Sequence, residues 1–474
     1  MMDPLRMLPA PEARTRAYEQ LVKLIERHWE EVASLPVDPR ISYGELDARI
    51  QEFDFQTPVA LEPLLEACGE LLREGIVHTS HPRYFGLFNP TPTFAGVLAD
   101  ALVAAFNPQL AVTSHAPAAV AIERRVLSLF AEALGFPDAA GTFTSGGAEA
   151  NLTALLLALE RHFPEATEGG LATLDARPTL YASTEAHHSL VKAARMTGLG
   201  HHALRSIPPT PRLTLDVAAL RDRITRDRAA GERPFLVVAT AGNTAAGVID
   251  PLPAIADLCE ALGVDLHVDA AWAGAACVSP RLRPLLDGIE RADSVTVDAH
   301  KWLSVPMGAG MFITPHRDAL SRTFRTTANY MPSAEASDPY LSSAQWSRRF
   351  TGLKVFMSLA AAGRNGYASQ IEHDCELGER LRARLRRDRW RIVNETSLPV
   401  VCFTPGQDDS SERLESIAGH VAASGVAWIS VAQLAGRPAL RACITSYRSA
   451  EQDLDALCTE LSRARAGNVC ESDP

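Results

Sequence analysis

The stretch HVDAAWAG (residues 267–274), followed by SVTVDAHKWLSVP (residues 294–306), contains two short apolar runs that end in charged residues. Runs of this length that are rich in Val are typical of buried strands in an α/β sheet. The first run ends at Asp269, and Asp298 and Lys301 follow the second. Ligands of open α/β sheets bind outside the carboxyl ends of the strands. We therefore predict that Asp269 and Lys301 carry the chemistry of this protein.

The composition is that of a globular protein with a modest acidic excess. The chain has 474 residues, of which 46% are hydrophobic and 22% charged, and its formal net charge is -11. A soft prior of ~150 residues per domain gives about three units. Nucleic acids and anionic membranes both require a basic protein face, so this charge argues against either of them as the main partner.

Targeting and cysteine signals are also absent from the sequence. The N-terminus lacks the apolar core of a signal peptide, and no apolar run is long enough to cross a bilayer. None of the eight cysteines belongs to a CxxC pair or has a metal-ligand spacing. We interpret them as thiols in a reducing cytosol, and we expect a cytoplasmic protein without a metal site.

Hydrophobic periodicity divides the chain into three predicted parts. Residues 1–92 predict an N-terminal helical arm with little core of its own, and such an arm often packs on a second chain, so we expect a homodimer. Residues 93–365 alternate short apolar runs with helical patterns, which predicts a large α/β domain with a mostly parallel sheet. Residues 366–474 predict a small C-terminal α/β domain, with strands near 400–403, 427–430 and 439–445.

Lys301 and Asp269 suit an aldehyde cofactor. A lysine at a strand end in an apolar neighbourhood could form a Schiff base with such a cofactor, although it could also be a surface lysine that caps a turn. Pyridoxal phosphate (PLP) needs an acidic partner for its pyridine nitrogen, and an aspartate that ends a buried strand suits that role. The alternative for Asp269 is a buried carboxylate paired with an arginine or a helix N-terminus.

A candidate phosphate site lies in TFTSGGAEANLTALLLALE (residues 142–160), which predicts a strand, a Gly-Gly turn and a helix. Backbone N–H groups at such a turn, together with the helix dipole, make an anion site. We predict that Ser145, Gly146, Gly147 and Ala148 hold the cofactor phosphate. A Gly-Gly turn before a helix is weak evidence by itself, and the assignment depends on Asp269 and Lys301 in the same sheet.

Two further strand ends offer polar side chains. In YASTEAHHSLVKAA (residues 181–194), a histidine after the strand could stack on an aromatic cofactor ring, and the alternative is a solvated helix start. In VVATAGNTAAGVIDPL (residues 237–252), Thr240, Asn243 and Thr244 could donate hydrogen bonds to oxygens of the cofactor or substrate. A purely structural turn explains that second stretch equally well.

These stretches occur together and in this order, and the chain resembles the group II PLP-dependent decarboxylases, the family of aromatic-L-amino-acid, glutamate, histidine and tyrosine decarboxylases. The resemblance spans residues 61–448 and rests on HVDAAW with HKW, on TSGGAEAN and on SRRFTGLK (residues 347–354). It implies the α/β fold type I of PLP enzymes, with a mostly parallel seven-stranded sheet, an N-terminal helical arm and a small C-terminal domain. It also implies a homodimer with active sites at the interface.

The resemblance implies a role for each site residue. Lys301 would hold PLP as a Schiff base, and Asp269 would pair with the pyridine nitrogen. His187 would stack on one face of the ring and Ala271 would pack on the other, with His300 beside the phosphate. The remaining contacts with the cofactor would come from Ser145, Gly146, Gly147, Ala148, Thr240 and Asn243.

Three positions depart from the family pattern. Asn243 replaces a threonine of the common Gly-Thr-Thr sequence. Asp298 stands where aromatic decarboxylases have asparagine, and a carboxylate near a phosphate is unfavourable unless it points away or binds backbone groups. The loop of residues 330–348 is shorter than in the animal enzymes, where it delivers a tyrosine that protonates Cα in the partner's site. Tyr340 is the nearest match to that tyrosine, and Tyr330 is a second candidate.

The predicted reaction is decarboxylation of an L-amino acid to an amine and CO2, with an aromatic or large apolar substrate. An acidic substrate is the alternative, because the positive charge of Arg83 could pair with it, although Arg83 could also simply brace the loop. An aldehyde synthase or oxidative deaminase, an aminotransferase and a Cα–Cβ lyase are alternatives with the same cofactor. A catalytically dead fold type I binding subunit is the non-enzyme alternative. The predicted pocket residues are Tyr84, Phe85, Leu87, Phe88, Asn89 and Leu110.

Overall fold

The structure is a computed structural model that describes residues 7–326 and 338–467. Among these residues no helix is long and apolar enough to span a membrane. The helices are α1 (Pro11–Glu31), α2 (Tyr43–Gln51), α3 (Leu61–Gly75), α4 (Phe94–Phe106), α5 (Pro117–Leu134), α6 (Gly147–His162), α7 (Glu165–Gly169), α8 (Ser189–Met196), α9 (Val217–Ala229), α10 (Leu252–Leu262), α11 (Arg317–Phe324), α12 (Gly352–Arg387), α13 (Ser411–Ala423) and α14 (Glu451–Arg465).

Two sheets contain the strands. The strands are β1 (Ala140–Thr144), β2 (Pro178–Ser183), β3 (Leu204–Ile207), β4 (Arg233–Thr240), β5 (Asp265–Asp269), β6 (Ser294–Asp298), β7 (Gly310–Thr314), β8 (Arg391–Ile392), β9 (Val400–Thr404), β10 (Ser430–Leu434) and β11 (Arg437–Cys443).

The larger sheet has seven strands in the order β1-β7-β6-β5-β4-β2-β3. Only β7 is antiparallel to its neighbours, so the other six strands run in one direction. Every residue of β2, β5 and β6 is buried, which fits a sheet covered by helices on both faces. The expected mostly parallel seven-stranded sheet is therefore confirmed. The carboxyl ends of β1, β6, β5, β4 and β2 lie at one edge of it.

The smaller sheet is antiparallel, with the order β10-β11-β9-β8. The predicted strands near 400–403 and 439–445 correspond to β9 and β11. The prediction of a strand at 427–430 was wrong in position, because β10 begins only at Ser430. Ala427 and Ile429 are buried without forming a strand, so their apolar character reflects packing alone.

Packing divides the chain into two compact units. One contains Met1–Phe85, Glu415–Ile429 and Arg448–Pro474, and the other contains Gly86–Leu414 and Ser430–Tyr447. The second unit contains both sheets. In the first unit, α1 and α3 bury no residue fully, as expected for an arm with little core. The domain boundaries after residues 92 and 365 remain predictions.

Candidate active site

Three buried polar residues end neighbouring parallel strands of the large sheet. Thr240 ends β4, Asp269 ends β5 and Asp298 ends β6, and all three are buried. Thr240 is the register partner of Asp269, and Asp269 is the register partner of Thr296 on β6. Because these strands are parallel, their polar ends meet at one edge of the sheet, where α/β proteins bind ligands.

Lys301 turns back toward the strand that precedes it. Its Nζ lies 3.1 Å from Asp298 Oδ2, and its backbone N–H donates to the Asp298 carbonyl oxygen at 3.2 Å. The Lys301 side chain is 26% exposed, whereas that of Asp298 is almost fully buried. The other Asp298 oxygen, Oδ1, has no hydrogen-bond partner among the described residues. The site therefore contains an accessible amine beside a carboxylate with unused hydrogen-bonding capacity.

The Asp269 carboxylate is fixed by two donors. Asn151 Nδ2 donates to Oδ2 at 2.8 Å, and the backbone N–H of Ala271 donates to Oδ1 at 3.1 Å. A carboxylate has about four lone-pair sites, so these two bonds leave about two sites for further donors. A protonated pyridine nitrogen is a donor of the required kind.

The predicted phosphate turn connects β1 to the first turn of α6. A Cβ at Gly147 would lie 2.9 Å from Asp298 Oδ2, and one at Gly146 would lie 3.3 Å from His300 Cε1. Only glycine lets the turn approach these side chains so closely. The N–H groups of a first helical turn lack partners within the helix and can bind an anion. The backbone N–H of Ser145 is not available, because it donates to the Glu149 carboxylate at 2.8 Å.

Two histidines flank the turn and the lysine. His187, four residues after the end of β2, accepts a hydrogen bond at Nδ1 from the backbone N–H of Ser189 at 3.2 Å. Burial lowers the pKa of His187. The Asp269 carboxylate raises this pKa and the Lys301 ammonium lowers it further, so the charges of both residues act on the imidazole. Burial also lowers the pKa of His300, whose Nδ1 accepts from the backbone N–H of Ala309 at 3.1 Å. Both imidazoles therefore favour their neutral forms.

The residues at the sheet edge fit PLP. Asp269 offers an acceptor for a pyridine nitrogen, Lys301 offers an amine for an aldehyde, and the Gly146–Gly147 turn offers an anion site. The buried hydroxyl of Thr240 has no hydrogen-bond partner among residues 7–326 and 338–467. A buried hydroxyl normally has a partner, so this one is free to bond a ligand oxygen. Ala271, whose Cβ would lie 3.3 Å from a Cβ at Gly147, borders the same space.

Asn243 is less available than the sequence suggested. Its Oδ1 accepts from the backbone N–H of Ala246 at 2.8 Å, and its Nδ2 donates to the Leu213 carbonyl oxygen at 3.3 Å. Both atoms of the amide are thus engaged within the loop structure. The cofactor contact of Asn243 remains a prediction, and Thr240 is the residue of this segment with a free side-chain group.

Tyr340 lies in a short 3-10 helix, Pro339–Ser342, and its side chain is buried. Its ring centroid is 4.9 Å from that of Trp346, and it belongs to an apolar cluster with Val112 and Leu341. No contact between Tyr340 and Lys301 is found within the described part of the chain. The second candidate, Tyr330, lies outside the described residues. The role of either tyrosine as the acid for Cα remains a prediction.

The predicted pocket residues of the second unit differ in accessibility. Phe88 is buried, with its ring stacked on Trp272 at 4.5 Å, and Leu110 is buried in an apolar cluster. Leu87 is 44% exposed. Asn89 Nδ2 lies 3.0 Å from the sulfur of Met307, in the loop that follows Lys301. Leu87 and Asn89 are thus the members of this group with side chains available to a ligand.

The predicted pocket residues of the first unit are packed. The ring of Tyr84 stacks on that of Trp428 at 5.5 Å. Phe85 is fully buried, and its backbone N–H donates to the Trp428 carbonyl oxygen at 2.9 Å. An Arg83 guanidinium N–H donates to the Ala33 carbonyl oxygen at 3.4 Å, which supports a bracing role for Arg83. The pocket roles of Tyr84 and Phe85 remain predictions.

Sequence reasoning missed two buried residues near the site. Asn151, on α6, donates to Asp269, and the only sequence signal was its place in the TSGGAEAN stretch. Arg441, on β11, donates to the carbonyl oxygens of Thr244 at 2.6 Å and Gly86 at 3.3 Å. It has no carboxylate partner among the described residues, and its signal was a lone arginine in an apolar strand. Arg441 therefore links the backbone at Thr244 to the backbone at Gly86, which is next to the predicted pocket residue Leu87.

Comparisons with known proteins agree with this geometry. The family model described as the pyridoxal-dependent decarboxylase conserved domain matches residues 46–405. The chain is 30% identical to an aromatic-L-amino-acid decarboxylase of Bacillus atrophaeus over 480 residues, which cover 98% of each chain. It is 32% identical to an acidic amino acid decarboxylase of Mus musculus over 349 residues, which cover 72% of this chain and 63% of that one.

Solved structures give the same fold. Oryza sativa TDC with PLP and tryptamine superposes with a TM-score of 0.91 at 25% identity, covering 98% of this chain and 99% of that one. Mouse CSAD superposes with a TM-score of 0.90 at 27% identity, covering 96% of this chain and 99% of that one. These likenesses confirm fold type I. The chain therefore belongs to the pyridoxal-dependent decarboxylase family, as a carboxy-lyase with PLP as its cofactor.

Proposed function

We propose that this enzyme decarboxylates an aromatic or large apolar L-amino acid to the corresponding amine and CO2. The main observation in favour of this substrate class is the exposed apolar surface beside the loop that follows Lys301. Leu87 is 44% exposed and Met307 is 62% exposed, and the contact between Asn89 and Met307 connects their two loops. An apolar side chain of a substrate gains free energy by covering such surface. The match of 98% of each chain to an aromatic-L-amino-acid decarboxylase supports the same class.

The proposed roles follow from the contacts of each residue. Bound PLP withdraws electrons from the bond between Cα and the carboxylate through its protonated ring. Asp269 keeps the pyridine nitrogen protonated, because its carboxylate has a free acceptor site. Lys301 would hold the cofactor through its side-chain amine. The turn at Gly146 and Gly147 binds the phosphate, and His187 covers the ring.

We also propose that the enzyme is a homodimer, because α4 presents an apolar stripe to solvent. Phe94, Leu98, Leu102 and Phe106 are all exposed and are spaced four residues apart, so they lie along one side of the helix. Contiguous apolar patches on a protein surface are typical of protein interfaces. A second copy of this chain would cover the stripe. A cytoplasmic location fits the seven described cysteines, all of which are free thiols.

A second candidate function is oxidative deamination to an aldehyde. It is favoured by the position of Tyr340, whose ring packs on Trp346 in an apolar cluster. Without a side chain that delivers a proton to Cα, amine formation would be slow, and O2 and water would instead convert the amino acid to an aldehyde, CO2, ammonia and H2O2.

One experiment tests the proposal. The purified holoenzyme is given each natural L-amino acid, and CO2 release, amine, aldehyde and oxygen uptake are measured in parallel. We expect CO2 and amine from Phe, Tyr, Trp or Leu without oxygen uptake. Turnover of Glu or Asp alone would contradict the apolar substrate class. Aldehyde formation with oxygen uptake would establish the second candidate instead.

The dimer has a separate test. The double variant Leu98→Glu/Leu102→Glu should sediment as a monomer, because two buried charges oppose association, whereas the exposed Arg221→Glu variant on α9 should keep the mass of the wild type. A wild-type protein that sediments as a monomer at micromolar concentration would contradict the proposal.

A further inference from the structure

Asp269 lies at one end of a chain of buried polar side chains that the proposed mechanism does not use. Asn151 Nδ2 is 2.8 Å from Asp269 Oδ2, and His267 Nε2 is 3.1 Å from Asn151 Oδ1. His267 Nδ1 is 2.8 Å from the Ser294 hydroxyl. All four residues are buried. We call Asn151, His267 and Ser294 the Asp269 relay.

The orientation of the Asn151 amide follows from its neighbours. An ionised carboxylate only accepts hydrogen bonds, so the NH2 group of Asn151 must face Asp269. That group also donates to the Ser189 hydroxyl at 3.0 Å. The amide oxygen then faces the other way, where the Thr296 hydroxyl donates to it at 2.9 Å. Reversing the amide would place two acceptors against each other at the carboxylate.

The protonation of the His267 imidazole fixes which of its nitrogens donates in the Asp269 relay. Burial lowers the pKa of His267 to about 4, so the ring is neutral near pH 7 and carries one proton. His267 Nε2 lies 3.1 Å from the Asn151 amide oxygen, which can only accept hydrogen bonds, so the proton is on Nε2. Nδ1 then accepts from the Ser294 hydroxyl at 2.8 Å and does not donate to the Ser294 carbonyl oxygen, which lies 3.1 Å away. The hydrogen bonds from Ser294 to His267, from His267 to Asn151 and from Asn151 to Asp269 therefore run in one direction, toward the carboxylate.

We propose that Asn151 and His267 are positioning residues for the cofactor: they hold the Asp269 carboxylate in one orientation, with its remaining lone pairs directed at the pyridine nitrogen of PLP. The proposal rests on the proposed role of Asp269. Asn151 fixes Oδ2, and the Ala271 N–H fixes Oδ1, so the carboxylate cannot rotate without losing both bonds. His267 acts one step further away, because it orients the Asn151 amide.

If the relay only supported the local structure, its loss would affect cofactor binding differently. Loss of a structural network loosens the whole site and weakens every ligand that uses it. Loss of a network that acts through Asp269 weakens only a ligand with a ring nitrogen. The 1-deaza analogue of PLP, in which C–H replaces the ring nitrogen, keeps the aldehyde and the phosphate and cannot pair with Asp269. It therefore separates the two interpretations.

The test measures dissociation constants of PLP and of the 1-deaza analogue by absorbance titration of the cofactor-free full-length protein. We expect Asn151→Ala to raise the dissociation constant of PLP about tenfold, as for loss of a hydrogen bond to a charged group, and that of the analogue less than about twofold. His267→Phe should act in the same direction, and His267→Gln should restore PLP affinity, because its amide can donate to Asn151.

A matched control lies on the same helix. Thr153 is buried, and its hydroxyl donates to the Glu149 carbonyl oxygen at 2.9 Å and to no other described residue, so Thr153→Val should change neither constant. Equal weakening of both cofactor forms by Asn151→Ala and His267→Phe would overturn the proposal, as would unchanged PLP affinity. If Asn151→Ala does not fold, the two His267 variants carry the same comparison.

The outcome is independent of the proposed substrate, because no amino acid is present in the titration. A wild-type protein that binds PLP and the analogue equally would show that Asp269 does not pair with the ring nitrogen, and the positioning role would fall with it. A failed substrate screen would leave the titration unaffected.

Discussion

The Lys301 ammonium lies 3.1 Å from Oδ2 of the buried Asp298 carboxylate, whose Oδ1 has no hydrogen-bond partner in the described parts of the chain. The ion pair neutralises Asp298 while the amine is free. A cofactor held through the amine would engage Nζ, while the carboxylate would stay close to the turn at Gly147. A phosphate bound there would face a like charge, which the corresponding asparagine of aromatic decarboxylases avoids.

Asp298→Asn should therefore strengthen cofactor binding. Removing one negative charge next to the phosphate site lowers the repulsion, and we expect the PLP dissociation constant to fall about tenfold, equivalent to ~1.4 kcal/mol. Absorbance titration of the cofactor-free protein measures it, and Asp318→Asn on the exposed start of α11 is the control. Weaker binding by Asp298→Asn would mean that the carboxylate helps to hold the cofactor.

Lys301→Ala should abolish turnover and the absorbance band near ~420 nm that a Schiff base with PLP produces. The reason is that Lys301 supplies the amine at this edge of the sheet. Spectra and CO2 release are compared with those of Lys192→Ala, which removes an exposed lysine of α8. Activity that survives in Lys301→Ala would refute the anchoring role.

Tyr340→Phe should slow amine formation by about 10²–10⁴-fold and increase aldehyde, if the hydroxyl protonates Cα. Only the hydroxyl is removed, so the packing on Trp346 is retained. Amine, aldehyde and oxygen uptake are quantified for this variant and for Tyr330→Phe. If only Tyr330→Phe has an effect, Tyr330 and not Tyr340 protonates Cα. If neither variant has an effect, neither tyrosine protonates Cα.

Arg348→Met should destabilise the fold by about 3–5 kcal/mol, because it leaves the buried Glu123 carboxylate unpaired. The two side chains form a double contact at 2.9 and 2.6 Å and are only 6% and 4% exposed. Chemical denaturation measures the loss. Arg349→Met is a neighbouring control, since its ion pair with Asp100 is more exposed and should cost less than about 1 kcal/mol.

A second variant checks the cause of that loss. Arg348→Met combined with Glu123→Gln removes both charges, while the new amide oxygen can still accept from the Gly352 N–H, which now donates to Glu123 at 3.1 Å. The double variant should recover more than half of the lost stability. No recovery would indicate that Arg348 stabilises the protein by packing and not by charge.

Asp374→Asn should stabilise the protein increasingly as the pH rises from about 4 to 8. Burial raises the pKa of Asp374 from 3.8 to about 7, although Trp302 and Gln370 donate to it. Below pH 3.8 the carboxyl is protonated in both states and costs nothing. Between the two values only the unfolded chain ionises, so stability falls as the pH rises.

The full penalty is reached above pH 7 and is at most about 4 kcal/mol, because each pKa unit corresponds to 1.36 kcal/mol. Asparagine cannot ionise, so Asp374→Asn removes this penalty. Denaturation at several pH values compares Asp374→Asn with Asp222→Asn, which changes an exposed residue of α9. A stability difference that does not depend on pH would contradict the assignment of this carboxyl.

Local sequence was sufficient for six of the seven strands of the large sheet and for the order of the motifs at its edge, whereas the short strand β3 was not predicted. Val-rich runs that end at Asp269 and Asp298 predict buried parallel strands, and a Gly-Gly turn before an apolar helix predicts an anion site, because both signals lie within a few neighbouring residues. The strand predicted at 427–430 was misplaced for the same reason: an apolar run signals burial, and burial alone does not require strand pairing.

Only the tertiary structure decided which distant side chains meet. Asn151 reaches Asp269 across 118 positions of the sequence, and Arg348 reaches Glu123 across 225. In the tertiary structure the ring of Phe88 also stacks on that of Trp272, and the Asn243 amide bonds both to Ala246 and to Leu213, which is 30 positions away. The sequence by itself determined the strand ends, the turn and the lysine, since these follow from local periodicity and conformation. The partners of each buried polar group depend on how helices dock on the sheet, and no local pattern encodes that docking.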